Sequence, residues 1–259
     1  MQLTKDQIEF YENNGYLVLR SLVKPDEIVW LREIYDRLFA ERAGRERGEQ
    51  FDLAGPDEEG VEAKLPQILN PSRYAPEIQN GRFQAAAFAI VRQLLGETAE
   101  MLGDHAIFKP ARTGVETPWH QDEAYWDPQF EYNSLSIWIP LQEATIQNGC
   151  MWFVPGSHRS DILIHRSIGN DPRVHGLEIV GRTFPDAVAC PISAGDCTVH
   201  HNRTIHYTGP NVSDVPRRAL ILGGGTPPKR LNFERRFPWN EIKVAPRQMR
   251  EQNAKQSES

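Results

Sequence analysis

From Ala106 to Leu222 the chain breaks into apolar runs, each no longer than a single strand, with turn residues between them. The runs are residues 106–108, 135–141, 151–154, 187–190, 197–201 and 219–222, and they are divided by Asn148-Gly149, Pro155-Gly156-Ser157, Gly195-Asp196 and Gly209-Pro210-Asn211. Segments too short for helices and bounded by turn chemistry restrict this part of the chain to an antiparallel β architecture. The N-terminal part has a different texture. Thr4 can cap a helix over Lys5–Asn14 that Gly15 stops, residues 16–19 read as a buried strand, and Pro25-Asp26-Glu27 opens a second helix. In that helix Ile28, Leu31, Ile34, Tyr35 and Leu38 recur at helical spacing, as Phe88, Val91 and Leu95 do over Arg82–Leu95. Helices first and short strands after predict a mainly β protein with flanking helices: a double-stranded β-helix (jelly-roll or cupin-like barrel) with an N-terminal helical layer. The 259 residues read as one domain. Residues 43–63, charged and Gly-rich without a period, are expected to form a surface loop, with a lid as the second reading. The polar stretch 245–259 is expected to fray.

Within the β region lies Pro118-Trp119-His120-Gln121-Asp122. On an extended backbone residues i and i+2 project to the same side, so His120 and Asp122 offer an imidazole nitrogen and a carboxylate oxygen to one point. A second histidine would complete the two-histidine, one-carboxylate ligand set of non-haem Fe(II) oxygenases. Of the eight histidines, His158 sits in a turn, His165 and His175 lie in a polar stretch expected at the surface, and His105 precedes a strand where it can line a pocket. His200, His201 and His206 compete for the third position, and spacing alone does not choose among them.

A formal charge of −6 gives no electrostatic reason to expect nucleic acid or an anionic membrane as partner. No apolar run reaches the length of a membrane span, and the opening residues do not read as a signal peptide. Three cysteines without metal-type spacing suit a reduced, cytoplasmic protein acting on a small molecule. The sequence carries no signal of oligomeric state.

Taken together, Trp119-His120-Gln121-Asp122, the run from Asn148 to His158, Gly195-Asp196 with His201 and His206, and Arg217 resemble the phytanoyl-CoA dioxygenase family. Asn14-Gly15-Tyr16-Leu17-Val18-Leu19 is similar to that family's opening. The resemblance runs from about Leu17 to Leu222 and implies a dioxygenase dependent on Fe(II), 2-oxoglutarate and O2. The family places its distal histidine eleven residues before an arginine, the spacing of His206 and Arg217. The resemblance therefore implies a metal held by His120, Asp122 and His206, with Arg217 on the distal carboxylate of 2-oxoglutarate. It adds Thr208 to the same carboxylate and Trp138 beside the cosubstrate. Lys64 falls near a cosubstrate-contacting lysine of some members, and His105 occupies a position that is often apolar.

The chemistry asks for the same residue types. A planar guanidinium grips a carboxylate through two parallel hydrogen bonds, which lysine does not reproduce. On a strand Arg217 and Arg218 point to opposite faces, so only one reaches the interior. The carboxylate at Asp122 argues for hydroxylation or another oxidation, since related halogenases carry a small residue there. Trp119, Tyr125, Trp126, Phe130, Tyr132 and Trp152 offer an aromatic surround for an apolar substrate, and Lys229, Arg230, Arg235 and Arg236 read as a solvated basic face. Two other classes compete: a redox-silent, metal-dependent cupin hydrolase or isomerase, and a non-catalytic binding protein on the same barrel.

Overall fold

Alternation along the strand Arg217–Gly225 sets the layout of the molecule. In the computed structural model, which describes residues 1–257, Arg217, Ala219 and Ile221 turn to one face, while Arg218, Leu220 and Leu222 turn to the other. The second face carries the helices. Leu220 and Leu222 join Leu135, Ile137, Ile139, Val199 and Leu17 in a core shared with Leu31, Tyr35 and Leu38 of Pro25–Ala40 and with Phe83, Ile90 and Val91 of Arg82–Leu95. Each fully buried leucine there contributes about 1.5–3 kcal/mol through removal of apolar surface from water. Thr4 caps the first helix with a full capping box and Gly15 ends it in the left-handed conformation, as its sequence position predicts.

The strand belongs to a seven-stranded antiparallel sheet in the order Tyr16–Leu19, Cys197–His201, Ser134–Pro140, Arg217–Gly225, Glu100–Lys109, Pro66–Leu69, Gln50–Asp52. A four-stranded sheet, Val188–Cys190, Met151–Phe153, His206–Thr208, Thr117–His120, faces it. Between the two, Met151 and Phe153 pack against Trp138, Ala219, Ile221 and Tyr16 in a second core. This is the jelly-roll arrangement expected from the strand texture: two antiparallel sheets, not a cylinder closed by hydrogen bonds.

Two stretches differ from expectation. Residues 43–63 are not an unstructured loop, because Gln50–Asp52 forms an edge strand of the large sheet and Asp57, buried, pairs with Arg45 and Arg250. The tail is a helix, Pro246–Ser257, rather than frayed chain. It docks on the same stretch: Arg247 Nε donates to Gly48 O at 2.9 Å and Arg250 Nε to Arg45 O at 3.0 Å. Residues 258 and 259, also expected to fray, lie outside the described residues.

Candidate metal centre

Thr117–His120 and His206–Thr208 are neighbouring antiparallel strands, and their register sets His120 directly opposite His206. The two imidazole rings stand 4.1 Å apart, centroid to centroid. Gln121 is extended and Asp122 opens a short 3-10 turn over Asp122–Tyr125, which swings the carboxylate back to the same point. Asp122 Oδ1 lies 3.8 Å from His120 Nε2 and 3.5 Å from His206 Nε2. One ligand atom from each of His120, Asp122 and His206 falls within 4.8 Å of the others, so these are the described residues that can hold an ion together. His200, on Cys197–His201 of the large sheet, stands 3.3 Å from Asp122 Oδ2, on the far side of the carboxylate. His201 points elsewhere: its Nδ1 accepts from the Arg203 amide at 3.1 Å.

The hydrogen bonds around the rings fix where their lone pairs lie. His120 Nδ1 is 2.7 Å from Pro118 O and His206 Nδ1 is 2.8 Å from Thr204 O. A carbonyl oxygen only accepts, so both Nδ1 atoms carry protons and both Nε2 atoms present lone pairs toward Asp122 Oδ1. Burial lowers the pKa of both rings, most strongly for His206, and keeps them neutral. Burial pushes the Asp122 carboxyl up, but His206, His200 and His120 together outweigh it and hold the group well below the usual carboxylate range. Two neutral imidazoles and an ionised carboxylate form the donor set a divalent metal requires.

Gln121, turned away as the alternation predicts, is fully buried and braces the loop. Its Nε2 donates to Arg203 O at 2.9 Å and its Oε1 accepts from the Leu163 amide at 2.9 Å. Glu123 escaped sequence reading altogether. Its carboxylate has no solvent exposure and accepts from Asn202 Nδ2 at 2.7 Å, Arg203 Nε at 2.7 Å and Arg235 Nη2 at 2.9 Å. One side chain thus ties the Asp122 turn to the loop ahead of His206 and to the C-terminal segment. Glu123→Ala is expected to destabilise the protein by about 3–5 kcal/mol, because two guanidinium groups lose their buried counter-charge. An unfolding free energy from urea titration within 1 kcal/mol of wild type would remove Glu123 from this role.

Arg217 is 1% exposed and faces the interior, whereas Arg218 lies on the helix side and pairs with Asp36 at 2.6 Å. The guanidinium of Arg217 lies over the Trp138 ring, 5.3 Å from its centroid. Its Nε and Nη1 are buried without a hydrogen-bond partner, and burial lowers its pKa to about 10. An unpaired buried cation costs several kcal/mol, so this one is poised for an anion. A carboxylate with two oxygens in one plane matches the planar fork of a guanidinium. Opposite Arg217 in register is Lys109, also unanticipated, whose ammonium donates to Val115 O, Thr208 O and Gly209 O at 3.2, 3.1 and 2.6 Å. It pins the turn after Thr208, while Thr208 Oγ1 donates to Thr117 Oγ1 at 3.0 Å. Gly149 allows that turn its close approach: its φ is +89°, and a Cβ there would lie 2.5 Å from Gly209 O.

His105 occupies the interior face, in register with Ile221 and Leu69. Much of its surface is solvent-reachable, yet the surrounding protein lowers its pKa and Asp122 is close enough to oppose that shift. Lys64 is exposed, and its main-chain amide donates to Asp52 Oδ2 at 2.9 Å; its side chain joins none of these residues.

Several surface expectations are corrected. His165 is buried, with its Nε2 accepting from the Gln121 amide at 3.2 Å. His175 stacks edge-on against Phe51, 4.9 Å between centroids, and faces Tyr125 at 5.6 Å. Arg235 is no solvated cation, since it pairs with Glu123. Of the proposed aromatic surround, Tyr125 stands against His120 at 6.1 Å, whereas Trp119 stacks on Tyr207 at 4.9 Å. Strand alternation places Trp119, Tyr207 and Trp152 opposite His120, His206 and Phe153, on the outer side of the small sheet. Phe130 and Trp126 gather around Tyr132 instead.

A family model described as phytanoyl-CoA dioxygenase (PhyH) matches residues 11–219. A probable alpha-ketoglutarate-dependent hypophosphite dioxygenase of Stutzerimonas stutzeri is 27% identical over 225 residues, 84% of this chain and 77% of that protein. Phytanoyl-CoA dioxygenase of Arabidopsis thaliana is 26% identical over 251 residues, 85% of this chain and 88% of that protein. Among solved structures, EvdO2 from Micromonospora carbonacea var. aurantiaca complexed with 2-oxoglutarate superposes with a TM-score of 0.80 at 36% identity, covering 92% of this chain and 97% of that one.

Proposed function

Because the chain belongs to the phytanoyl-CoA dioxygenase family, we propose that it is an Fe(II)- and 2-oxoglutarate-dependent dioxygenase that hydroxylates a small organic molecule. In that reaction one oxygen atom of O2 enters the substrate C–H bond and the other enters succinate, with CO2 released from 2-oxoglutarate. The observation that carries the reading is the pairing of two features on facing sheets: the His120, Asp122 and His206 donor set, and a buried arginine without a partner. The iron, when bound, supplies O2 activation coupled to decarboxylation of the cosubstrate.

The protein's own part is to orient and to enclose. His120 Nε2, His206 Nε2 and Asp122 Oδ1 would hold the iron. Arg217 receives the distal carboxylate with Thr208 beside it, and Trp138 packs against the cosubstrate. His105 lines the interior near the metal. Tyr125, His175 and Phe51 continue from His120 as a row of rings, flanked by Lys243 over Tyr125 at 4.9 Å and Arg247 over Phe51 at 4.6 Å. We read this row as a wall of the substrate site. A redox-silent hydrolase would leave Arg217 without a use.

Anaerobic addition of Fe(II) and 2-oxoglutarate should produce a weak visible charge-transfer band, and a matching substrate should release succinate in step with O2 uptake. Turnover that proceeds with Zn(II) in the absence of O2 would replace this reading with the hydrolase or isomerase class.

A further inference from the structure

The Asp122 carboxylate is divided between two jobs. Oδ1 faces the two Nε2 atoms of His120 and His206, while Oδ2 faces away, toward the large sheet. There it meets Ser136 Oγ, which donates at 3.1 Å, and His200 Nε2 at 3.3 Å. Ser136 and His200 are direct partners in the register of adjacent strands, Ser134–Pro140 and Cys197–His201. The sheet therefore delivers both groups to the same oxygen. His200 is 3% exposed, its ring lies 4.4 Å from that of His206 and 5.4 Å from that of Phe153, and neither of its nitrogens has a hydrogen-bond partner, Asp122 Oδ2 being the polar group that Nε2 approaches, at 3.3 Å. A buried imidazole without partners is costly unless it serves the group it faces, and the group it faces is the carboxylate.

We propose that His200 and Ser136 are positioning residues that occupy Asp122 Oδ2 and so restrict Asp122 to one-oxygen ligation through Oδ1. This rests on the metal-centre reading above. A carboxylate free to rotate can chelate through both oxygens and take a coordination position that a chelating cosubstrate needs. With Oδ2 engaged by His200, carrying its proton on Nε2, and by the Ser136 hydroxyl, that position stays open. Partners of metal-binding carboxylates have effects of about 10- to 100-fold on metal affinity or activity.

The test uses full-length protein titrated anaerobically with Mn(II) and, separately, with Fe(II) followed by 2-oxoglutarate, alongside melting curves. His200→Phe is expected to need about 10-fold more 2-oxoglutarate to develop the visible band and to shift that band, because the freed Oδ2 competes for the open position, while Mn(II) binds no more weakly than to wild type. His200→Gln, which keeps a donor, should recover most of the 2-oxoglutarate affinity. Ser136→Ala, a smaller change that leaves the ring in place, should weaken 2-oxoglutarate binding in the same direction. A 2-oxoglutarate requirement within twofold of wild type and an unmoved band in His200→Phe overturns the proposal. If His200→Phe does not fold, a wild-type 2-oxoglutarate requirement in Ser136→Ala overturns it instead. Failure of the wild-type protein to bind Mn(II) or Fe(II) is a different result, which removes the metal centre itself.

Discussion

Arg217→Met is expected to raise the KM for 2-oxoglutarate about 100-fold while leaving kcat within a few-fold, and to make the metal-free protein more stable. The two effects have one cause. The guanidinium is buried with Nε and Nη1 unbonded, so the protein without ligand carries the cost of a desolvated cation that only an anion relieves. A charge-assisted hydrogen bond is worth about 1.5–3 kcal/mol, and losing two at the low end of that range is roughly 3 kcal/mol, or about two decades in affinity. The distal carboxylate is remote from the reacting bond, so its loss appears in KM rather than kcat. Methionine of similar length should gain about 1–3 kcal/mol in the unfolding free energy of the metal-free protein, since Lys109 then no longer faces a second buried cation. Steady-state kinetics and urea unfolding measure the pair. A KM within threefold of wild type would take the cosubstrate away from Arg217, whatever the stability shows.

His120→Ala should abolish metal binding and succinate release together. Removing even an outer partner of a metal ligand costs about 10- to 100-fold, and removing a ligand should exceed that. The loss is local, because Gln121 and Glu123 anchor the loop on either side through Arg203, Leu163 and Asn202. The variant should therefore melt cooperatively near the temperature of the metal-free wild type. Succinate formation that survives in a folded His120→Ala protein would contradict the proposed ligand set.

What the sequence could reveal follows from range. His120 and Asp122 are two residues apart and their convergence is a property of extended backbone, so it is readable from the chain. The opposite facing of Arg217 and Arg218 is equally local, and the structure places one in the interior and the other on Asp36. The helices at Lys5–Asn14 and Arg82–Leu95 carry their own caps or periodicity. By contrast, Lys109 answers to carbonyls at Thr208 and Gly209, and Glu123 to groups at Asn202, Arg203 and Arg235. Nothing near either residue in the chain announces those partners, and Phe108-Lys109-Pro110 looks like the polar end of any strand. His200 was visible only as one of three competing histidines, and sheet register decides what it faces. Gln50–Asp52, with its three buried residues, is too short to show alternation, and its pairing with Pro66–Leu69 creates it.

Gln50–Asp52 is also the outermost strand on its side of the large sheet, and its outward groups are satisfied within the chain: Gln50 N donates to Gly44 O at 3.2 Å and Asp52 N to Asp57 Oδ1 at 2.9 Å. The helix Pro246–Ser257 lies across this region, and Arg250 reaches both Asp57 and Gln50 O. The last turns of the chain therefore act as a bumper against edge-to-edge aggregation. A protein cut short ahead of Pro246 would keep His120, Asp122 and His206 but lose that cover, and Arg247 of the substrate wall with it.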